Sequence, residues 1–156
     1  MAGQGFSTGS GANQPSTSAR QRRSEEQQQL DFEIEFFRGV LDRHPEYVDV
    51  LRVQGNNLTR RGRVREGLEI DKRLLRLRPL DSLVFYNLAC SYALLKQTDS
   101  ALKALRRALE LGYNDFRYLR QDTDLDSIRH DPRFRQILSE FEPAPIRRPE
   151  RRRRSA

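Results

Sequence analysis

Few side chains in this sequence are of types that do covalent or acid–base chemistry: one cysteine, Cys90, two histidines, His44 and His130, and the acidic run Asp122-x-Asp124-x-Asp126. A nucleophile or general base needs an activating partner at hydrogen-bonding reach. Each histidine instead sits beside a helix-boundary signal, His44 before Pro45 and His130 before Asp131-Pro132, with no Cys or Ser motif around it. The three aspartates have the spacing that opens a calcium loop. Ser127 stands where that loop needs glycine, however, and Arg133 where its bidentate glutamate should fall. Helix capping and solvation explain these acids better. With no glycine-rich phosphate loop and no paired metal-ligand spacing, the sequence predicts a non-catalytic protein with no cofactor and no metal.

Charge is the next source of candidates. Charged residues make up 33% of the 156-residue chain and its formal net charge is +7. The charge is uneven. Residues 147–156 hold Arg147, Arg148, Arg151, Arg152, Arg153 and Arg154 against Glu150 alone, whereas 30–146 hold 20 basic and 19 acidic residues. Such a tail binds phosphates non-specifically, on nucleic acid or an anionic membrane, with a strong salt dependence. It has no interleaved aromatics for stacking on bases, and a solubilising tail is an equal reading. The single cysteine excludes an internal disulfide and suits a reducing compartment. No signal-peptide pattern and no run of about 18 apolar residues is present, so a soluble, cytoplasmic protein is expected.

Only one part of the chain can supply a framework. Residues 1–29 are rich in Gly, Ser, Thr and Gln and are expected to be disordered. From Leu30 onward apolar residues recur at helical spacing, as in Leu30, Ile34, Phe37 and Leu41. Breakers at Pro45, Gly62, Pro79, Asp99-Ser100, Gly112 and Asp131-Pro132 divide the chain into helices near 30–44, 46–61, 64–77, 82–96, 99–112 and 132–141, with short helical turns between 115 and 129. The pattern also repeats every 34 residues. Pro45 and Pro79 are one such pair, as are Leu51 and Phe85, Gly55 and Ala89, Leu58 and Tyr92, Gly67 and Ala101, and Leu68 and Leu102. Large residues match large and small match small, as stacked helix hairpins require.

These residues resemble the tetratricopeptide repeat (TPR) family. Phe85-Tyr86-Asn87-Leu88-Ala89 with Tyr92, Ala101, Leu105 and Ala108 is close to the family pattern, and Leu51 through Pro79 is a looser copy. Gly67 and Asp71 depart from it, since alanine and an aromatic or leucine are usual there. After residue 115 the residue types leave the repeat: Leu88, Tyr92 and Ala101 would correspond to Asp122, Asp126 and Arg135. The stretch from Leu119 through Asp131-Pro132 to Leu138 resembles instead the closing unit of many bacterial TPR arrays. Asp131 is a cap for a helix opened by Pro132, and Phe134, Ile137, Leu138 and Phe141 form its covering face. The resemblance implies an all-α fold, a short TPR-type helical-hairpin solenoid (α-α superhelix) with disordered ends. Its parts are a half-repeat at 30–47, repeats at 48–81 and 82–115, a closing unit at 116–142 and a flexible tail at 143–156.

In such an array the first helix of each hairpin lines a concave groove. The register then places Asp49, Arg52, Asn56, Tyr86, Asn87 and Cys90 in that groove, Cys90 as a small packing residue, joined by Arg117, Arg120 and Gln121 from the closing unit. The surface reads as polar, aromatic and somewhat cationic, suited to a peptide or helix of another protein with acidic groups. Arg52, Asn56 and Asn87, with Arg117, also resemble part of the carboxylate clamp of chaperone-binding TPR domains, although Gln121 stands where a second cation belongs. Finally, Phe32, Phe36 and Phe37 widen the apolar face of the first helix, which has no helix before it. That face reads as an interface for a homodimer or a partner helix, or as one covered by part of 1–29.

Overall fold

In a computed structural model that describes residues 17–143, those residues are helical with no strand among them. The helices are α1 (Thr17–Arg43), α2 (Val48–Arg60), α3 (Val64–Leu77), α4 (Ser82–Leu94), α5 (Thr98–Glu110), α6 (Phe116–Gln121), α7 (Asp126–Arg129) and α8 (Pro132–Phe141), with a 3-10 turn at Thr123–Leu125 before α7. The all-α class expected from sequence is the class observed. No described helix is long and apolar enough to cross a membrane.

Two expectations change. First, 17–29 are helical rather than disordered, because α1 begins at Thr17. Arg, Glu and Gln make up Arg20–Gln29 apart from Ser24, and they are good helix formers. They extend a helix already anchored by buried Leu30, Ile34 and Leu41, so no new nucleus is needed. Arg60 of α2 also reaches Glu26 at 2.9 Å. Residues 1–16 and the arginine tail lie outside the described residues.

Second, the 34-residue period does not stop at 115. Helices α2, α4 and α6 start at residues 48, 82 and 116, and α3, α5 and α8 start at 64, 98 and 132. The residue types break while the placement of helices continues. Side-chain pairings follow the same interval: Arg60 with Glu26, Arg106 with Glu140 at 2.5 Å, Asp99 with Arg133 at 2.7 Å, and the Ser127 hydroxyl donating to the Ala93 carbonyl at 2.6 Å.

Neighbouring elements pack in chain order, α1 on α2, α2 on α3, α3 on α4, α4 on α5 and α5 on α8, while the 3-10 turn and α7 pack on α4. The core runs through Leu51, Leu74, Val84, Ala89, Ala101 and Leu105 to Leu125, Ile128 and Phe134. Helices α2 and α3 approach closely because glycine faces glycine. A Cβ at Gly67 would lie 2.8 Å from Thr59 Oγ1 and 3.3 Å from the Gly55 carbonyl. Asp81 caps α4 by accepting from the Leu83 and Val84 amides, and Asp131 caps α8 by accepting from Arg133 N, with Pro132 in the first turn. Phe134, Ile137 and Leu138 are buried on the inner face of α8, as its covering role requires.

Candidate functional site

A cavity of about 310 Å³ lies between α2, α4, α6 and the segment that follows α6. From α2 come Arg52, Gly55 and Asn56; from α4, Tyr86, Asn87 and Cys90. Asp71 of α3 reaches it past Gly55, since a Cβ on that glycine would lie only 3.1 Å from Asp71 Oδ1. Tyr118, Asp122 and Asp124 close the far side.

That far side exists because α6 ends at Gln121, after six residues. Asp122 holds the position that Leu88 holds one period earlier. Its backbone is extended (φ −66°, ψ 113°) and its carboxylate accepts from Asp124 N at 3.0 Å, ending α6 and opening the 3-10 turn. The same carboxylate accepts hydrogen bonds from the Tyr86 hydroxyl and, at 3.6 Å, from the Cys90 thiol. Arg129 fixes the break, donating to the backbone carbonyls of Arg120 and Asp122. Tyr86 stacks on Tyr113 at 4.3 Å and meets half-exposed Tyr118 at 6.2 Å.

Acidic side chains outnumber basic ones on this cavity, Asp71, Asp122 and Asp124 against Arg52, where the sequence suggested a somewhat cationic surface. Arg52 is the one cation on the wall among the described residues, and Asp81 holds it in an ion pair. Burial pushes the Asp81 carboxyl up, but the Arg52 hydrogen bond and charge outweigh it and leave it below its ordinary value. By contrast, Asp71, Asp122 and Asp124 make no ion pair with any described residue. Burial pushes the Asp71 carboxyl up to about 6, against a partly compensating hydrogen bond from Ser91. Burial, then the charges of Asp122 and Asp126, also raise Asp124. The Cys90 thiol is pushed up by burial and next by Asp122, which disfavours the thiolate.

Of the groove residues read from sequence, Arg52, Asn56, Tyr86, Asn87 and Cys90 come together on this wall. Asp49, Arg117, Arg120 and Gln121 are exposed and stand off it. The reason is the early end of α6, which aims Tyr118 and Asp122 inward; Arg120 turns away to pair with Glu142. The clamp-like set is therefore incomplete, its first cation neutralised by Asp81 and its third helix cut short. Sequence reasoning missed Asp71, Asp122 and Asp124. The signal was there in Asp71, an acid 34 residues before the apolar Leu105.

Cys90, Asp122 and Asp124 bring one donor atom each within 4.8 Å of one another. A metal there would first have to displace the Tyr86 hydroxyl and the Cys90 proton, because both lie on Asp122 Oδ2. On α1, Phe32 and Phe36 are 67% and 57% exposed and stack at 6.4 Å, while half-buried Phe37 meets Phe36 edge-on at 5.4 Å. The three aromatics expected at an interface thus form one partly exposed cluster.

No family model matches this chain. The chain is similar to a chloroplastic protein of Arabidopsis thaliana, at 35% identity over 92 residues. The match takes in 57% of this chain and only 28% of that protein, so the chain spans about a quarter of the relative's length.

Proposed function

We propose that the chain is a non-catalytic TPR-type interaction module, a short helical-hairpin solenoid, which binds an extended segment of another protein along the wall formed by α2 and α4. The observation that carries this reading is a pair of unengaged amides. Asn56, exposed, and Asn87, half-buried, line the cavity, and neither side chain makes a hydrogen bond to a described residue. A carboxamide offers a donor and an acceptor together, the complement of a peptide unit. Their neighbours Arg52, Tyr86 and Cys90 are all bound internally, so the two asparagines are the free recognition groups.

Helix starts at 34-residue steps support the solenoid, and so does the closing helix that covers α5. Similarity to a fraction of a longer protein fits a module that also occurs inside larger chains. The cytoplasm is the proposed compartment, on the single cysteine alone.

The test is selection of peptide ligands on the immobilised full chain, followed by affinity measurement with Asn56→Ala/Asn87→Ala. Losing two peptide-facing hydrogen bonds should weaken binding about tenfold or more. Unchanged affinity, with the fold intact by circular dichroism, would place recognition elsewhere.

A further inference from the structure

The groove floor holds a charge imbalance that peptide-backbone recognition does not use. Asp71 is only 4% exposed. Its Oδ2 accepts the Ser91 hydroxyl at 2.8 Å, whereas its Oδ1, beside Gly55 on the cavity side, receives no hydrogen bond from any described residue. That oxygen keeps solvent contact on the cavity side, so it is the face of an otherwise buried carboxylate that an entering donor can reach. Asp124, which lines the same cavity, likewise accepts no hydrogen bond on its side chain from a described residue, and Asp122 is held only by neutral groups. Three carboxylates thus line one open cavity, and the single wall cation among the described residues is committed to Asp81.

We infer that this cavity is a specificity pocket for a basic side chain, the arginine or lysine of the bound peptide, seated between Asp71 and Asp124 with Tyr118 at its mouth. The inference rests on the groove reading above and adds the chemistry of the ligand. A volume of about 310 Å³ suits one long side chain rather than a folded segment. A guanidinium can give one edge to each carboxylate, and an ammonium has three donors to share. Tyr118 is 52% exposed with its ring at the rim, so a cation entering past it meets a π-face before the carboxylates.

A bare divalent ion is a weaker fit, because it would need the Cys90 proton removed and the Tyr86 hydroxyl displaced from Asp122 first. An acidic peptide, the complement expected from the sequence, would face three like charges.

The experiment is a selection of phage-displayed random dodecapeptides on the immobilised full chain. Affinities of the enriched peptides are then read by fluorescence anisotropy with wild type, Asp124→Asn, Asp71→Asn and the Asn56/Asn87 double variant. Enriched sequences should share a fixed Arg or Lys; replacing it with norleucine should cost tenfold or more, and Asp124→Asn should weaken the parent peptide by a similar factor while barely affecting the norleucine one. Asp124 sits in a partly exposed turn, so a folding defect in Asp124→Asn would be visible in melting, and Asp71→Asn, which keeps the shape of the side chain, provides a second readout. Peptides that depend on Asn56 and Asn87 yet carry no conserved basic residue, or that are enriched in acids, would overturn the cation pocket and leave the groove reading standing. Basic peptides indifferent to both aspartate variants would also overturn it, placing the attraction elsewhere on the surface. Failure to enrich any peptide sensitive to Asn56 and Asn87 would remove the groove reading and the pocket with it.

Discussion

Asp71 shows how one residue can be at once a misfit in its helix and a constituent of a site. Buried Leu105 stands 34 residues further on, whereas here the sequence provides a carboxylate that the fold buries against Ser91. Burial raises its folded-state pKa to about 6 from an ordinary value of 3.8. The native state therefore holds the proton more tightly than the unfolded chain does. By linkage, the stability due to this group is fully present below the unfolded value and is lost as pH rises through the folded one. Asp71→Asn removes the ionisation and keeps the shape. The variant should be close to wild type in stability near pH 4 and more stable than wild type at pH 7, by an amount on the order of 3 kcal/mol from the size of the shift. Urea denaturation of both proteins at the two pH values reads the difference directly, and carboxylates common to both cancel in the comparison. A variant no more stable at pH 7 would mean that a cation already compensates Asp71 in solution.

Among the elements, the turns between paired helices were the most legible part of the sequence. The expected bounds 64–77 and 132–141 are those of α3 and α8, because Gly62, Asp131 and Pro132 each dictate a backbone state or a cap. Two features were not legible, for different reasons. The first half of α1 has no apolar periodicity; what holds it helical is the nucleus downstream and the pairing of Glu26 with Arg60, contacts that no local window contains. The break after α6 reads in sequence as solvated acids, and Asp122 does cap, but its burial depends on Tyr86, 36 residues away. The turns also contain one imperfect choice. Gly62 makes the turn between α2 and α3 at φ +84°, and Lys96, one period later, makes the turn between α4 and α5 at φ +61° with a side chain. A non-glycine residue costs about 1–2 kcal/mol in that region. Lys96→Gly should therefore raise stability by about 1 kcal/mol, after allowing for the greater freedom of glycine in the unfolded chain. In a chain of this size the melting temperature should rise by about 3 °C, measurable by calorimetry. No rise would imply that the Lys96 side chain makes a compensating contact.

At the scale of the molecule, the described helices pack mainly on their neighbours in the chain, so the way damage spreads is itself informative. The outer ion pairs at 34-residue spacing, Arg106 with Glu140 and Asp99 with Arg133, join exposed or half-exposed groups. Pairs of that kind contribute about 0–1 kcal/mol. Burial of Phe134 contributes more, since truncating a buried phenylalanine costs about 3–5 kcal/mol, and its side chain is only 3% exposed in the core. The covering action of α8 thus resides in its apolar face rather than in its charges. Phe134→Ala should lower stability by a few kcal/mol, whereas Glu140→Gln should change it by less than one. If the units couple only to their neighbours, the effect of Phe134→Ala must also fade along the chain. Amide hydrogen exchange should accelerate most in α8, clearly in α5 and α7, which α8 touches, and least in α1 and α2 at the far end of the stack. Equal acceleration from α1 to α8 would show one global unfolding unit instead, and with it a protein whose groove cannot be reshaped at one end without loosening the other.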